Sequence, residues 1–393
     1  MAELTRRRLL GGGAAALGVV GLGAAGIGRA TTTRDEKSRI VAIHGNHQAG
    51  IETEPQAFAA FVALDLRPGT DRRDLVGVLK VWAQDAHRLT TGVAGLGDSE
   101  PELAEDPARL TVTVGFGPGV FGPGVFAPDD AAKLRPEWLR PLPAFGIDRL
   151  EDRWNGGDLL LQVCADDPVT VAHAVRTLTR TVRSQVSVRW VQRGFRNAVG
   201  TLPEGTTMRN LMGQVDGTVN PAPHSPEFDS RVWNPGSPPW LAGGSSLVFR
   251  RIRMELDTWE ELDRPARELT VGRTLSNGAP LTGTAERDDP DLDAVDRNGI
   301  PVIPPESHMA RARPRNADEQ FLRRGYNYDD VDGTGLLFAS YQADVDRQFV
   351  PVQQRLADHD ALNRWITPIG SAVFAIPPGF GVDGYPGETL LEG

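Results

Sequence analysis

The sequence has 393 residues, of which 40% are hydrophobic and 24% are charged, and its formal net charge is −10. This composition is ordinary for a globular protein of two average domains or one large two-lobed unit, and the acidic balance argues against a nucleic-acid partner. A single cysteine, Cys164, excludes a disulfide framework, a thiolate zinc site and a CxxCH attachment site.

The first thirty residues predict an export signal. Arg6 and Arg7 precede Leu9 and Leu10, and a run of small apolar residues follows from 11 to 28. The pattern resembles a twin-arginine signal, whose pathway carries proteins already folded and often loaded with a cofactor. A transmembrane anchor is the alternative, but a run of about 18 residues dominated by Gly and Ala is marginal for a span. We expect cleavage near Ala30 and an extracytoplasmic location.

Beyond the signal, apolar strands alternate with helical patterns and show a weak internal repeat. The predicted strands are 58–66, 110–114, 157–166, 246–254 and 335–344, and the predicted helical stretches are 72–88, 169–178, 259–262 and 349–356. The strand at 157–166 resembles the one at 335–344, and 58–66 resembles 246–254. This repeat predicts two similar α+β lobes, with chance similarity among amphipathic strands as the alternative.

The stretch Gly213-Gln-Val-Asp-Gly-Thr-Val-Asn-Pro221 places one carboxylate, Asp216, between two glycines. Glycine tolerates positive φ and lets a ligand approach the backbone closely, so the stretch predicts a carboxylate held against a ligand. A plain surface turn is the alternative, because Asp-Gly is a common turn dipeptide.

His308 is the histidine with the most distinctive surroundings. Arginines follow it at 311, 313, 315, 323 and 324, a collection of cations that an acidic protein would not place on a simple solvent face. A basic cluster beside a histidine suits a ligand that carries carboxylates and a metal, and haem is such a ligand. We expect the histidines at 87, 173, 224 and 359 to be exposed.

These segments together resemble the dye-decolorizing peroxidases. The resemblance rests on Gly213–Gly217, on Ser307–Arg311 with Pro314 and Arg315, and on Arg323–Tyr326. Residues 44–51, 110–117, 335–344 and 377–379 also match the family, so the resemblance covers nearly all of the mature chain. With its export signal, the sequence is most similar to the exported branch that includes the deferrochelatase/peroxidase of bacterial iron uptake.

The resemblance implies an α+β fold of two ferredoxin-like lobes with antiparallel sheets, in the dimeric α+β barrel-like superfamily. The lobes would span 38–205 and 206–393, and the second would hold haem b. His308 would ligate the iron through Nε2. Asp344, at the end of its strand, is the candidate to accept the Nδ1 proton of His308, although an ordinary strand-end salt bridge explains it nearly as well.

The resemblance also implies how hydrogen peroxide is activated. Asp216 would shuttle a proton between the peroxide oxygens, and Arg323 would stabilise the developing negative charge. Arg324 is the alternative for the second role, because it adjoins Arg323. The expected haem contacts are Gly217, Thr218, Val219, Arg313, Pro314, Arg315 and Arg323. Leu337 and Phe338 could wall the pocket, with core packing as the alternative.

Bulky one-electron donors such as dyes and phenolics could not reach a buried iron. Electrons would then pass through oxidisable residues, for which Trp365, Tyr326, Tyr328 and Tyr341 are equal candidates. A second functional hypothesis is a haem-binding deferrochelatase component of iron uptake that works with a membrane partner. Oligomerisation is possible under either hypothesis. An exported binding protein without a cofactor would leave Asp216, His308 and Arg323 unexplained.

Overall fold

The computed structural model describes residues 39–203 and 205–393. The export signal predicted at 1–30 therefore lies outside the described residues. Within the described part of the chain, every helix is too short or too polar to cross a membrane.

Over these residues the chain forms a 9-stranded antiparallel sheet. The strands are β1 (Phe58–Leu66), β2 (Thr111–Phe116), β3 (Leu159–Ala165), β4 (Val186–Phe195), β5 (Ser245–Met254), β6 (Leu322–Arg323), β7 (Tyr326–Asp330), β8 (Gly333–Gln342) and β9 (Ile366–Ile376). The strands predicted at 58–66, 110–114, 157–166, 246–254 and 335–344 are all confirmed to within a few residues.

Helices lie between the strands along the chain, and one follows the last strand. They are α1 (Arg72–Thr90), α2 (Pro128–Leu134), α3 (Pro168–Thr181), α4 (Pro226–Val232), α5 (Leu256–Glu260), α6 (Arg264–Val271), α7 (His308–Ala312), α8 (Val350–His359) and α9 (Glu388–Leu391). A π-helical turn, Val345–Phe349, leads into α8. The helical stretches predicted at 72–88, 169–178, 259–262 and 349–356 correspond to α1, α3, α5 and the π-turn with α8.

The sheet contains the same arrangement twice. In the first half, β1-α1-β2-β3-α3-β4 gives the spatial order β2-β3-β1-β4, and in the second half the equivalent strands have the same order, β7-β8-β5-β9. Each is a ferredoxin-like βαββαβ unit. The halves meet where Phe116 pairs with Ala375 and where Phe195 pairs with Asn327, so the pairings close into a ring. The predicted α+β ferredoxin-like fold is confirmed, whereas the lobe boundary at 205/206 stays a prediction.

The alternation of side chains along β1 shows how the sequence builds this ring. Ala60, Val62 and Leu64 pack into the core cluster under the helices, while Phe61 and Ala63 pack into the core cluster inside the ring. Both faces of the strand are therefore buried, which explains its continuous apolar run.

Helix α1 illustrates the packing outside the ring. Asp71 caps it with a capping box to Asp74, and the buried side chains of Leu75, Leu79 and Trp82 recur at helical spacing on one face. The Trp82 indole N–H donates to the carbonyl of Leu178 in α3 at 2.9 Å, which ties the two helices together.

One predicted surface residue is buried. His173 in α3 was expected to be exposed, but it is 6% exposed and its Nε2 lies 2.8 Å from Asp98 Oδ2. The prediction was wrong because the carboxylate that satisfies this ring comes from a distant loop. The other three histidines expected at the surface, His87, His224 and His359, are exposed.

Candidate active site

A large cavity lies between the second half of the sheet and the short helices that cover it. Its volume is about 1580 Å³, open solvent at the mouth included. Strands β5, β8 and β9, helices α7 and α8 and the 210–219 loop all contribute to its wall. The apolar side chains of the wall include Met212, Ile252, Met254, Val271, Leu336, Phe338, Val352, Leu356, Leu362 and Ile366.

His308 opens helix α7 and lines this cavity. Its Nδ1 donates to Asp360 Oδ2 at 2.6 Å, and the other carboxylate oxygen of Asp360 accepts the main-chain N–H of Leu362 at 2.9 Å. Burial disfavours a charged ring, but the Asp360 carboxylate outweighs it, so the pKa of His308 is raised. Because Nδ1 is occupied, Nε2 is the nitrogen left for a ligand, and no described residue hydrogen-bonds to it.

The expected carboxylate partner of His308 was wrong. Asp344 instead caps the π-turn, where its side chain accepts the N–H of Arg347 at 3.0 Å. Asp360 takes the place beside His308 because the chain turns back at the end of α8, where Ala361 N–H donates to the carbonyl of Glu306 at 2.8 Å. That return brings together residues 52 positions apart, which strand and helix patterns do not reveal.

Asp216 and Arg323 form a second polar pair in the cavity wall. Arg323 Nη1 lies 3.7 Å from Asp216 Oδ1, and the two side chains are 22% and 23% exposed. The separation exceeds that of a close hydrogen bond, so both groups keep capacity for a third partner. Both residues line the same cavity as His308.

The Asp216 loop is a shaped cavity wall rather than a free surface turn. Gly213 and Gly217 adopt φ values of 81° and 122°, which only glycine adopts without strain. The main-chain N–H of Asp216 donates to the carbonyl of Met208 at 2.9 Å. The prediction that the glycines hold Asp216 toward a ligand space is consistent with this geometry.

Adjacent arginines 323 and 324 point in opposite directions because side chains alternate along a strand. Arg323 lines the cavity. Arg324 is 1% exposed and donates to the carbonyl of Thr53 and, at 2.5 Å, to Gln56 Oε1. Of the two arginines, Arg323 is thus the one available to a bound ligand.

The remaining predicted contacts divide into two groups. Those that line the cavity are Gly217, Thr218, Val219, Arg313, Pro314 and Phe338. Arg315 is exposed and outside the lining, and Leu337 is fully buried in the core cluster inside the ring. These last two positions therefore do not contact the cavity.

Besides Asp360, sequence reasoning missed the charged wall residues Arg273 and Glu319. Arg273 is 8% exposed and donates through Nη1 to the carbonyls of Gly278 and Glu286 at 2.6 and 2.8 Å. Burial, reinforced by nearby Arg323 and Arg313, lowers the pKa of Arg273. Glu319 pairs with Arg355 at 2.8 Å. Neither residue has a local motif that would have signalled its position.

The four relay candidates occupy different environments. Tyr326, Tyr328 and Tyr341 are fully buried inside the ring. Trp365 is half-buried and packs edge-to-face on Trp259, with 5.3 Å between ring centroids. Which of the four carries electrons stays a prediction.

Comparison with known proteins identifies the family. Residues 48–196 match the family described as Dyp-type peroxidase, N-terminal, and residues 207–380 match Dyp-type peroxidase, C-terminal. The chain belongs to the DyP-type peroxidase family. A dye-decolorizing peroxidase from Thermobifida fusca is 41% identical over 88% of this chain and 84% of its own. A deferrochelatase from Yersinia pestis is 34% identical over 99% of this chain and 95% of its own.

Solved DyP-type structures agree with this assignment. The DyP-type peroxidase from Cellulomonas bogoriensis is 56% identical, with a TM-score of 0.86, and covers 90% of this chain and 98% of its own. Ferric DtpA from Streptomyces lividans is 42% identical, with a TM-score of 0.85, and covers 90% of this chain and 97% of its own.

DyP-type peroxidases are haem enzymes, and the cavity suits that cofactor. An apolar wall can cover a flat macrocycle, and His308 offers a free ring nitrogen that is oriented through Asp360. Arg273, Arg313 and Arg323 in the cavity wall supply positive charge for the carboxylates of haem. The described residues contain no cluster of three or more His, Cys, Asp or Glu that could hold a separate metal ion.

Proposed function

We propose that this peroxidase activates hydrogen peroxide with Asp216 and Arg323 and that His308 would hold the haem iron through Nε2. The observation that carries the proposal is the 3.7 Å Asp216–Arg323 pair in the wall of the cavity that His308 also lines. A general base and a fixed cation within reach of one small substrate are the two groups that peroxide cleavage requires.

Each residue has a distinct task in this proposal. When bound, haem supplies the redox-active iron at which the peroxide O–O bond breaks. Asp216 accepts a proton from one peroxide oxygen and returns it to the other, so that water can leave. Arg323, which is always charged, stabilises the negative charge that develops when the proton is removed. Asp360 holds the His308 ring in one orientation and makes it more basic.

We further propose dyes and phenolics as the reducing substrates. The cavity lies under short helices, and molecules larger than peroxide would give up electrons at the protein surface. Among the relay candidates, Trp365 is the one that is only half-buried. It packs on Trp259, whose indole N–H donates to the carbonyl of the cavity residue Met212 at 3.1 Å.

Stopped-flow mixing of the haem-loaded protein with hydrogen peroxide tests the assigned roles. We expect Asp216→Asn to slow the reaction by about 10²–10⁴-fold, the usual contribution of a positioned acid–base group. Arg323→Leu should slow it by about 10²–10³-fold. Asp344→Asn is the matched control, because this carboxylate lies outside the cavity wall. A wild-type rate in Asp216→Asn with an intact Soret band would remove the proton-shuttle role.

Export by the twin-arginine route is a separate proposal, supported by Arg6, Arg7 and the small apolar run after them. The experiment is cell fractionation of the full chain and of a double variant, Arg6→Lys with Arg7→Lys. We expect the double variant to stay in the cytoplasm. Unchanged export of that variant would exclude the twin-arginine route.

A second candidate function is iron recovery from haem together with a membrane partner. It is favoured by the deferrochelatase relatives, one of which is 34% identical across 99% of this chain. Incubation of the haem-loaded protein with a reductant, followed by porphyrin fluorescence, tests it. Release of metal-free porphyrin would support iron removal, and intact haem throughout would leave peroxidase activity as the sole function.

A further inference from the structure

Asn220 lies in the loop 213–221 that also carries Asp216. Both ends of its side-chain amide hydrogen-bond the main chain of Arg323. The N–H of Arg323 donates to Asn220 Oδ1 at 2.9 Å, and Asn220 Nδ2 donates to the carbonyl of Arg323 at 2.7 Å. A donor on one side and an acceptor on the other fix the orientation of the amide. One side chain thus satisfies both main-chain polar groups of the arginine.

Strand β6 needs such a partner because it is only 2 residues long and lies at the end of the strand order. Leu322 pairs with Tyr341, and Arg324 N–H donates to the carbonyl of Ala339 at 2.8 Å. The alternation of an antiparallel ladder therefore turns the N–H and C=O of Arg323 away from β8. Asn220 occupies the edge that a further strand would otherwise fill.

The loop that carries Asn220 also carries Asp216, so it meets Arg323 at two points. Asn220 N–H donates to the carbonyl of Gly217 at 3.1 Å, which closes a tight turn directly after Asp216. Asn220 holds the Arg323 backbone, and Asp216 faces the guanidinium at 3.7 Å. The short turn between the two contacts leaves little freedom for one to move without the other.

We propose that Asn220 is a positioning residue that fixes the separation of Asp216 and Arg323. The inference rests on the proposed roles of those two residues in peroxide activation. Glu286 anchors the same loop differently, since its Oε1 accepts from Thr207 at 2.6 Å and from Thr218 at 3.0 Å. Asn220 is the residue of the loop whose side chain bonds both main-chain groups of Arg323.

A purely structural role for Asn220 makes a different prediction, and Asn234 supplies the matched control. Asn234 is a buried asparagine that accepts from the N–H of Gly236 and Ser237 at 2.8 and 2.9 Å and donates to the carbonyl of Ala343 at 3.0 Å. It joins a loop to the end of β8 in the same manner, but away from the cavity wall. If Asn220 only stabilises the fold, Asn220→Ala and Asn234→Ala should behave alike.

The experiment combines amide hydrogen exchange with stopped-flow kinetics. In the haem-free and haem-loaded proteins, we expect Asn220→Ala to speed exchange of the Arg323 amide at least about 10-fold, because its acceptor is lost. The reaction of the haem-loaded variant with hydrogen peroxide should slow by about 10–100-fold, as for a reacting group misplaced by about 1 Å. Asn234→Ala should change neither quantity.

A second variant keeps the test decisive if Asn220→Ala does not fold. Asn220→Asp keeps an acceptor for the Arg323 N–H but loses the donor to the Arg323 carbonyl. We therefore expect peroxide cleavage to be slower than in the wild type, and exchange of the Arg323 amide to be accelerated less than in Asn220→Ala. Wild-type exchange at Arg323, or faster exchange with a wild-type peroxide rate, would overturn the inference. Failure of the proposed function is distinguishable, because Asp216→Asn would then keep the wild-type rate whatever the exchange at Arg323 shows.

Discussion

The two halves of the sheet share one topology but differ in what covers them. In the first half, α1 and α3, of 19 and 14 residues, lie directly on the strands and fill the space with side chains such as Trp82 and Leu178. In the second half, α6, α7 and α8 have 8, 5 and 10 residues and line a cavity instead. The same βαββαβ unit thus becomes a binding site when long amphipathic helices are replaced by short ones joined by loops.

Each half also contains a histidine paired with an aspartate. In the first, His173 Nε2 lies 2.8 Å from Asp98, and the two side chains are 4% and 0% exposed. In the second, His308 Nδ1 lies 2.6 Å from Asp360, but the His308 side chain is 29% exposed and borders the cavity. Histidine–carboxylate pairing is therefore not itself a mark of function. The neighbouring cavity makes the second pair the candidate for a ligand site.

Substitution of the two histidines should give the largest contrast. We expect His308→Ala to lose haem binding, measured as loss of the Soret band on titration with haem, while the haem-free protein stays folded. His173→Ala should keep haem binding but lose about 1–3 kcal/mol of unfolding free energy, the usual cost of leaving a buried hydrogen-bonding group without its partner. An unchanged Soret band in His308→Ala would contradict its role as the iron ligand.

Substitution of a leucine should cost more stability in the packed first half than in the second half, which contains the cavity. Leu79→Ala in α1 should cost about 2–5 kcal/mol in urea unfolding of the haem-free protein, because it creates a new cavity in a filled core. Leu356→Ala in α8 lines a space that already exists, so we expect a loss below about 1 kcal/mol. Equal losses would show that the second half closes when haem is absent.

The smallest expected effect is the change with pH in the stability that the Asp98–His173 pair contributes. Burial raises the pKa of Asp98, but the N–H of Glu100 and the ring of His173 outweigh it and leave the pKa lowered. A lowered pKa means that ionised Asp98 stabilises the folded state above the unfolded value of about 3.9, and that this stability disappears as pH falls through the folded pKa.

Urea unfolding from pH 7 down to pH 2 measures this contribution. We expect Asp98→Asn to be less stable than the wild type by about 1.5–3 kcal/mol at pH 7, and the difference to shrink below about pH 4. Exposed Glu137 offers a control, Glu137→Gln, that should follow the wild type across the range. A stability difference that is constant with pH would exclude a charge effect at Asp98.

Local sequence patterns predicted most of the strands and singled out Asp216 and His308, and the family resemblance selected Arg323. The run at 58–66 became β1, the stretch at 72–88 became α1, and Asp216, His308 and Arg323 all line one cavity. Alternation, helical periodicity and glycine placement are properties of neighbouring residues, so they can be read from the chain directly. The partners of those residues could not be predicted in this way.

The sequence by itself determined the repeated α+β pattern and the chemical groups of the site. The tertiary structure alone decided that Asp360 rather than Asp344 meets His308, that Arg324 turns inward, and that Asn220 holds Arg323. The physical reason is distance along the chain: Asn220 and Arg323 are 103 positions apart, and His308 and Asp360 are 52 apart. Hydrogen bonds between such residues depend on how the elements pack, and no local pattern records that packing.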